Sequence, residues 1–98
     1  MQDISAQELK ERLDKGETPY ILDVREEWEF EEDNLGGQLI PLATLPAQIG
    51  EVKANKDEEV VVHCRSGKRS ATAKKILEQN GFTQVRNLEG GILAYREL

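Results

Sequence analysis

Residues 59–63, EVVVH, narrow the possible folds more than any other stretch. Three consecutive valines are β-branched and uncharged, which reads as a strand. A strand with one face in water alternates apolar and polar side chains. A continuous apolar run instead suits a strand covered on both faces, as in a parallel sheet between layers of helix. A loop over 64–68 follows, and then a helix starting near Ser70. In it Ala73, Ile76, Leu77 and Asn80 recur at i, i+3, i+4 and i+7, and Gly81 is a suitable stop.

The rest of the chain alternates in the same way. Ser5 followed by Glu8 is a capping signature, with Ala6, Leu9 and Leu13 on one helical face and Gly16 at the end. YILDV (20–24), Gln38 to Ile40 and QVRNL (84–88) read as short strands, the second closed by Pro41. Residues 43–52 are weakly helical, with Pro46 placed in the first turn. Gly90-Gly91 turns the chain into a last helix, ILAYREL. The segment EEWEFEED (26–33) predicts a short helix with Trp28 or Phe30 facing inward and its acids in solvent. Trp28, Leu88 and Tyr95 are expected in the core. Strands alternating with helices define an α/β domain with a mainly parallel central sheet and helices on both faces. At 98 residues, one domain spanning 1–98 is expected, long enough to need no metal or disulfide staple.

A net charge of −6 argues against nucleic acid as a partner. No segment approaches the ~20 apolar residues of a membrane span. The opening MQDISAQELK lacks a basic start and an apolar stretch, so no secretion signal is expected. The single cysteine and single histidine exclude an internal disulfide and a Cys/His zinc site. A reducing cytoplasm is the expected compartment. Charge is unevenly spread. Between Glu59 and Glu78 there is no acid, whereas Arg65, Lys68, Arg69, Lys74 and Lys75 all fall there. A local basic stretch on an acidic protein points to a small anion site.

That stretch contains the only cysteine. Cys64 sits where the strand ends, and sites in open α/β sheets lie beyond the carboxyl ends of strands. The loop Cys64-Arg65-Ser66-Gly67-Lys68-Arg69 runs into the helix at Ser70. Gly67 lets the backbone curl, which aims several N–H groups at one point beside a helix N-terminus. Such a cradle stabilises a thiolate and so makes Cys64 a nucleophile, and it holds an anion against the sulfur. His63 lies next to the nucleophile, but adjacent strand residues point to opposite faces. It is expected to be a packed, hydrogen-bonded structural histidine rather than a general base.

The chain resembles the rhodanese domain, a family of sulfurtransferases, along nearly its whole length. DVREEWEFEEDNLGG (23–37) is similar to the family's DVRE segment and the His-Ile-x-Gly-Ala stretch after it. IPL (40–42) matches its Asn-Ile-Pro segment, and VVVHCRSGKRS (60–70) its active-site strand and loop. VRNLEGGILAYRE (85–97) resembles its C-terminal signature. Asn34-Leu35, Gly37 and Tyr95 depart from the common residues, and none touches the loop.

The resemblance implies a three-layer rhodanese-like fold and a ping-pong reaction without metal or cofactor. Cys64 would take a sulfane sulfur from a small anionic donor such as thiosulfate. The resulting persulfide would pass it to a thiol, to cyanide or to a protein acceptor. Amides from Arg65 through Ser66, Gly67, Lys68 and Arg69 to Ser70 would hold the persulfide. Arg65 and Arg69 would bind the donor's oxyanion end, and Lys68 would steer from further out. Asp23 and Arg25, past the end of their strand, would support the loop as a charge pair. Two alternatives stay open. HCRSGKRS is similar to the cysteine phosphatase loop, which would imply phosphoryl or arsenate chemistry, although Arg69 stands one residue too close to Cys64. A sulfur-carrier or docking module within a larger pathway is the other.

Overall fold

The computed structural model describes residues 1–98. Strands β1 (Tyr20–Asp23), β2 (Gln38–Leu39), β3 (Glu59–His63) and β4 (Gln84–Asn87) form one sheet in the order β2–β1–β3–β4. Every pair in it is parallel. The register sets Asp23 beside His63 and Val62 beside Asn87, so these groups share the carboxyl end of the sheet. Beyond β4, Ile4 makes one parallel bridge to Leu88.

Strand alternation sorts the apolar side chains into two layers. Leu22, Val60, Val62 and Val85 pack with Leu45, Ala73, Leu77 and Phe82. That layer lies under α3 (Lys68–Gln79) and a 3-10 helix (Leu45–Glu51) with Pro46 in its first turn. Ile21, Val61 and Leu88 pack on the other side with Ile4, Ala6 and Leu9, under α1 (Ala6–Asp14) and α4 (Gly91–Arg96). Val60, Val61 and Val62 are each fully buried, as a strand covered on both faces requires. Burying each such side chain contributes roughly 1.5–3 kcal/mol before entropy is counted.

Local signals explain the helix boundaries. The Ser5 hydroxyl accepts from the Glu8 amide at 3.0 Å and starts α1. Gly81, at φ 92°, follows α3 as its αL stop. The start of α3 lies at Lys68, two residues before the expected Ser70, because Gly67 itself is the residue preceding the first turn.

Helix α2 (Glu27–Glu32) corrects the expected orientation of the acidic segment. Trp28 is 62% exposed, Phe30 is half-buried, and the residue facing the body is Glu29, 7% exposed. The reason is electrostatic: Glu29 receives a guanidinium from α3, and a tryptophan there would leave that cation unpaired. Leu88 is core as expected, and Tyr95 is half-buried against the α1/α4 layer.

Candidate active site

The loop between β3 and α3 wraps the sulfur of Cys64. The Gly67 amide lies 3.1 Å from Sγ, the Ser70 amide 3.4 Å and the Ser70 hydroxyl 3.3 Å. Gly67 adopts φ 104°, which a residue with a Cβ reaches only under strain, and this turn directs its N–H inward. Cys64 itself is 1% exposed, at the floor of the loop. Burial pushes its thiol pKa up. Hydrogen bonds from the Ser70 hydroxyl and from the amides of Ser70, Gly67 and Ser66 outweigh that burial and hold the pKa below the ordinary thiol value.

A neighbouring turn locks the loop from outside. The Ile92 amide donates to the Cys64 carbonyl at 3.0 Å and the Leu93 amide to the Arg65 carbonyl at 3.2 Å. Gly91 makes this approach possible: a Cβ there would lie 2.3 Å from the Arg65 oxygen, and its φ is 62°. The Gly90-Gly91 pair is therefore part of the site, although the sequence presents it only as a turn.

Asn87 is a second component that sequence reasoning missed. Its Nδ2 donates to the Gly67 carbonyl at 3.1 Å, and its Oδ1 accepts from the Ser70 hydroxyl. The only sequence signal is its place at the carboxyl end of a strand adjacent to the cysteine strand.

The basic residues of the loop divide into two groups. Arg65, Ser66 and Lys68 are exposed, and neither cation carries an ion pair. Arg69 is different. Its two terminal nitrogens meet the Glu29 carboxylate at 2.7 and 2.9 Å, a bidentate pair across α2 and α3. The family resemblance implies that Arg69 binds the donor's oxyanion end; in the structure its fork is engaged by Glu29. The Arg69 guanidinium holds the Glu29 carboxyl far down, at about 2.

Asp23 and Arg25 form the expected charge pair, and it is buried rather than superficial. Arg25 Nη2 lies 2.8 Å from Asp23 Oδ2 and also donates to the Asp33 carbonyl at 2.7 Å. Arg25 and Arg65 line one cleft of about 170 Å³ beside the loop, with Trp28 and Leu93 at its sides. A larger groove of about 460 Å³ lies at the opposite, amino end of the strands, around Pro19 and Gly37, far from the cysteine.

His63 is packed as expected but not hydrogen-bonded. Neither ring nitrogen has a partner, and Nε2 stands 3.6 Å from Asp23 Oδ2, beyond hydrogen-bond range. Burial pushes its pKa down; Asp23 pulls it up, and Arg25 pushes it further down. The buried imidazole is closed off behind the loop and fills space. No three His, Cys, Asp or Glu side chains assemble into a metal-holding group. No helix is long and apolar enough to cross a membrane.

A parallel α/β sheet ending in an amide-lined loop around a buried cysteine defines the architectural class. Comparison with known sequences places the chain within it: the Rhodanese-like domain matches residues 5–98, and the protein belongs to that family. A sulfurtransferase of Allochromatium vinosum is 35% identical over 95% of this chain and 86% of its own. The crystal structure of a rhodanese-like domain protein from Staphylococcus aureus superposes with TM-score 0.86 and 34% identity, over 97% of this chain and 91% of the other. A Mycobacterium tuberculosis protein named probable adenylyltransferase/sulfurtransferase MoeZ is 35% identical over 94% of this chain. The match spans only 24% of that longer protein.

Proposed function

We propose that the protein is a sulfurtransferase in which Cys64 carries the sulfur as a persulfide. One observation carries this reading: three donors from Gly67 and Ser70 converge on Sγ within 3.4 Å. The family and its sulfurtransferase relatives support the general role. The thiolate attacks the outer sulfur of thiosulfate, the S–S bond breaks, and sulfite departs with the bonding pair. Cys64 is left as a persulfide anion inside the amides. Cyanide or a thiolate then attacks the terminal sulfur, forms thiocyanate or a new persulfide, and returns the Cys64 thiolate. Atoms and charge balance without a cofactor.

Arg65 is the guanidinium assigned to the donor's sulfonate, being exposed and unpaired. Arg69 serves the loop through Glu29. A phosphatase reading needs the loop arginine free to grip a phosphoryl group, and Glu29 already holds the Arg69 fork.

The test is an intact mass spectrum after thiosulfate treatment, followed by cyanide. A gain of one sulfur atom, its loss as thiocyanate, and neither event in Cys64→Ser are expected. Turnover by Cys64→Ala at the wild-type rate would end the assignment. Hydrolysis of a chromogenic phosphate ester in place of sulfur transfer would favour the phosphatase.

A further inference from the structure

The Ser70 hydroxyl faces two acceptors with one proton. Its oxygen lies 3.3 Å from Cys64 Sγ and within hydrogen-bond range of Asn87 Oδ1. A hydroxyl donates once, so both bonds cannot be made by the same proton at the same time. The Asn87 amide cannot turn over to relieve the conflict. Its Nδ2 is fixed by the Gly67 carbonyl at 3.1 Å, and a flip would set two oxygens against each other. Asn87 Oδ1 is thus a permanent acceptor pointed at Ser70, and both residues are buried.

The two protonation states of the sulfur require opposite arrangements. A thiol is itself a donor. Its S–H can point at the Ser70 oxygen while the Ser70 proton points at Asn87, which gives an unbroken chain of donors. A thiolate has no proton and takes any donor in reach. The Ser70 hydroxyl must then rotate to Sγ, and Asn87 Oδ1 loses its donor in a buried place, which costs free energy.

We propose that Asn87 is a positioning residue that takes the Ser70 hydroxyl proton while Cys64 is a thiol and yields it when Cys64 ionises. Its Oδ1 opposes ionisation through Ser70, while its Nδ2 holds the Gly67 peptide in place. The role deepens the sulfurtransferase reading, since that reading makes Cys64 the reacting sulfur.

Other ionisable groups around the loop stay constant in the test. From α3, Arg69 interacts with the sulfur electrostatically while bound to Glu29 of α2. Asp23 and Arg25, at the end of β1, pair with each other, and His63 of β3 is buried. Arg65 of the loop and Lys68 at the start of α3 are exposed. None is altered by substitution at Asn87 or Ser70.

The experiment titrates the lone cysteine in the intact protein by the ultraviolet absorbance of its thiolate, checked by the pH dependence of iodoacetamide alkylation. Ser70→Ala should raise the apparent pKa by about one unit, because a donor to the anion is lost. Asn87→Ala should lower it by about half a unit, because the competitor is gone. The double variant should titrate no lower than Ser70→Ala. Loosening a merely structural contact predicts the opposite sign, a rise in Asn87→Ala. A rise or no change in Asn87→Ala, or a fall that persists without Ser70, overturns the proposal. Asn87→Val, suited to a strand and without an acceptor, carries the same expectation if the alanine variant does not fold. No turnover is needed for this readout. A protein that titrates as expected yet gains no sulfur from thiosulfate keeps this inference and loses the proposed function.

Discussion

Arg65 in the loop and Arg69 in the first turn of α3 share a charge type, yet their surroundings give them different tasks. Arg65 stands free at the cleft, while Arg69 is spent on Glu29. A charge-assisted hydrogen bond to a bound oxyanion contributes about 1.5–3 kcal/mol. Arg65→Ala should therefore slow formation of the persulfide from thiosulfate by roughly ten- to a hundredfold. Cyanide attack on a preformed persulfide should change little, since a compact ion needs no planar fork. Arg69→Ala should slow both half-reactions alike, because it releases α2 from the loop rather than removing a donor contact. Stopped-flow measurement of the two steps separately checks this. A selective donor defect in Arg69→Ala would return that residue to the binding role the sequence first suggested.

The β3–loop–α3 unit was the most legible element, because each part has a local cause. Valine branching marks Val60 to Val62, Gly67 marks the curl, and Ala73 and Leu77 mark the buried face of α3. The cradle around Cys64 could be read from these alone. What the sequence hid was contact between distant elements. Glu29 looked like one acid among six in 26–33, and its burial depends on Arg69, forty residues away. Asn87 looked like an ordinary strand residue, and its role depends on register with β3. The α4 turn was found, but its purpose lies in the distance between Gly91 and the Arg65 carbonyl. That distance makes a prediction. Gly91→Ala combines an unfavourable φ with a 2.3 Å overlap, so it should destabilise the protein by about 3 kcal/mol. Urea unfolding measures the loss. Thiosulfate turnover should fall more than tenfold at temperatures where the variant is still folded, because the loop must shift to make room.

The whole molecule should weaken on acidification in two stages. His63 is held below its ordinary value by burial, so the unfolded chain takes up a proton first. Its contribution is present above its unfolded value of 6.5 and is lost as pH falls from there. Glu29 is held at about 2 by Arg69, against 4.5 unfolded, so its contribution is intact above 4.5 and disappears through 2. Asp3, Glu8 and Asp33 are shifted the same way but reach solvent, which screens most of their effect, whereas Glu59, half-buried between Arg12 and Arg86, adds to the acid stage. Urea unfolding across this range should show a shallow decline below about pH 6.5 and a steeper one below about pH 4.5. In Glu29→Gln the steeper part should flatten in part, Glu59 still contributing, while the shallow part stays. An unchanged acid slope would mean the Glu29–Arg69 pair is not what holds the site together at low pH.

The first residues of the chain bear on how the molecule meets copies of itself. Asn87 gives its carbonyl to the Ile4 amide and its amide to the Asp3 carboxylate, and Lys74 clasps Asp3 and the Met1 carbonyl. The outer rim of β4 is thus already occupied, by backbone at one point and by a charged side chain at the next. The opposite rim is β2, only two residues long. Neither side offers an incoming strand a run of unpaired amides, so polymerisation by strand addition has no template to begin from. The short stretch ahead of α1 acts as a guard on the sheet, and a chain shortened to Ser5 would expose the ladder that this guard now covers.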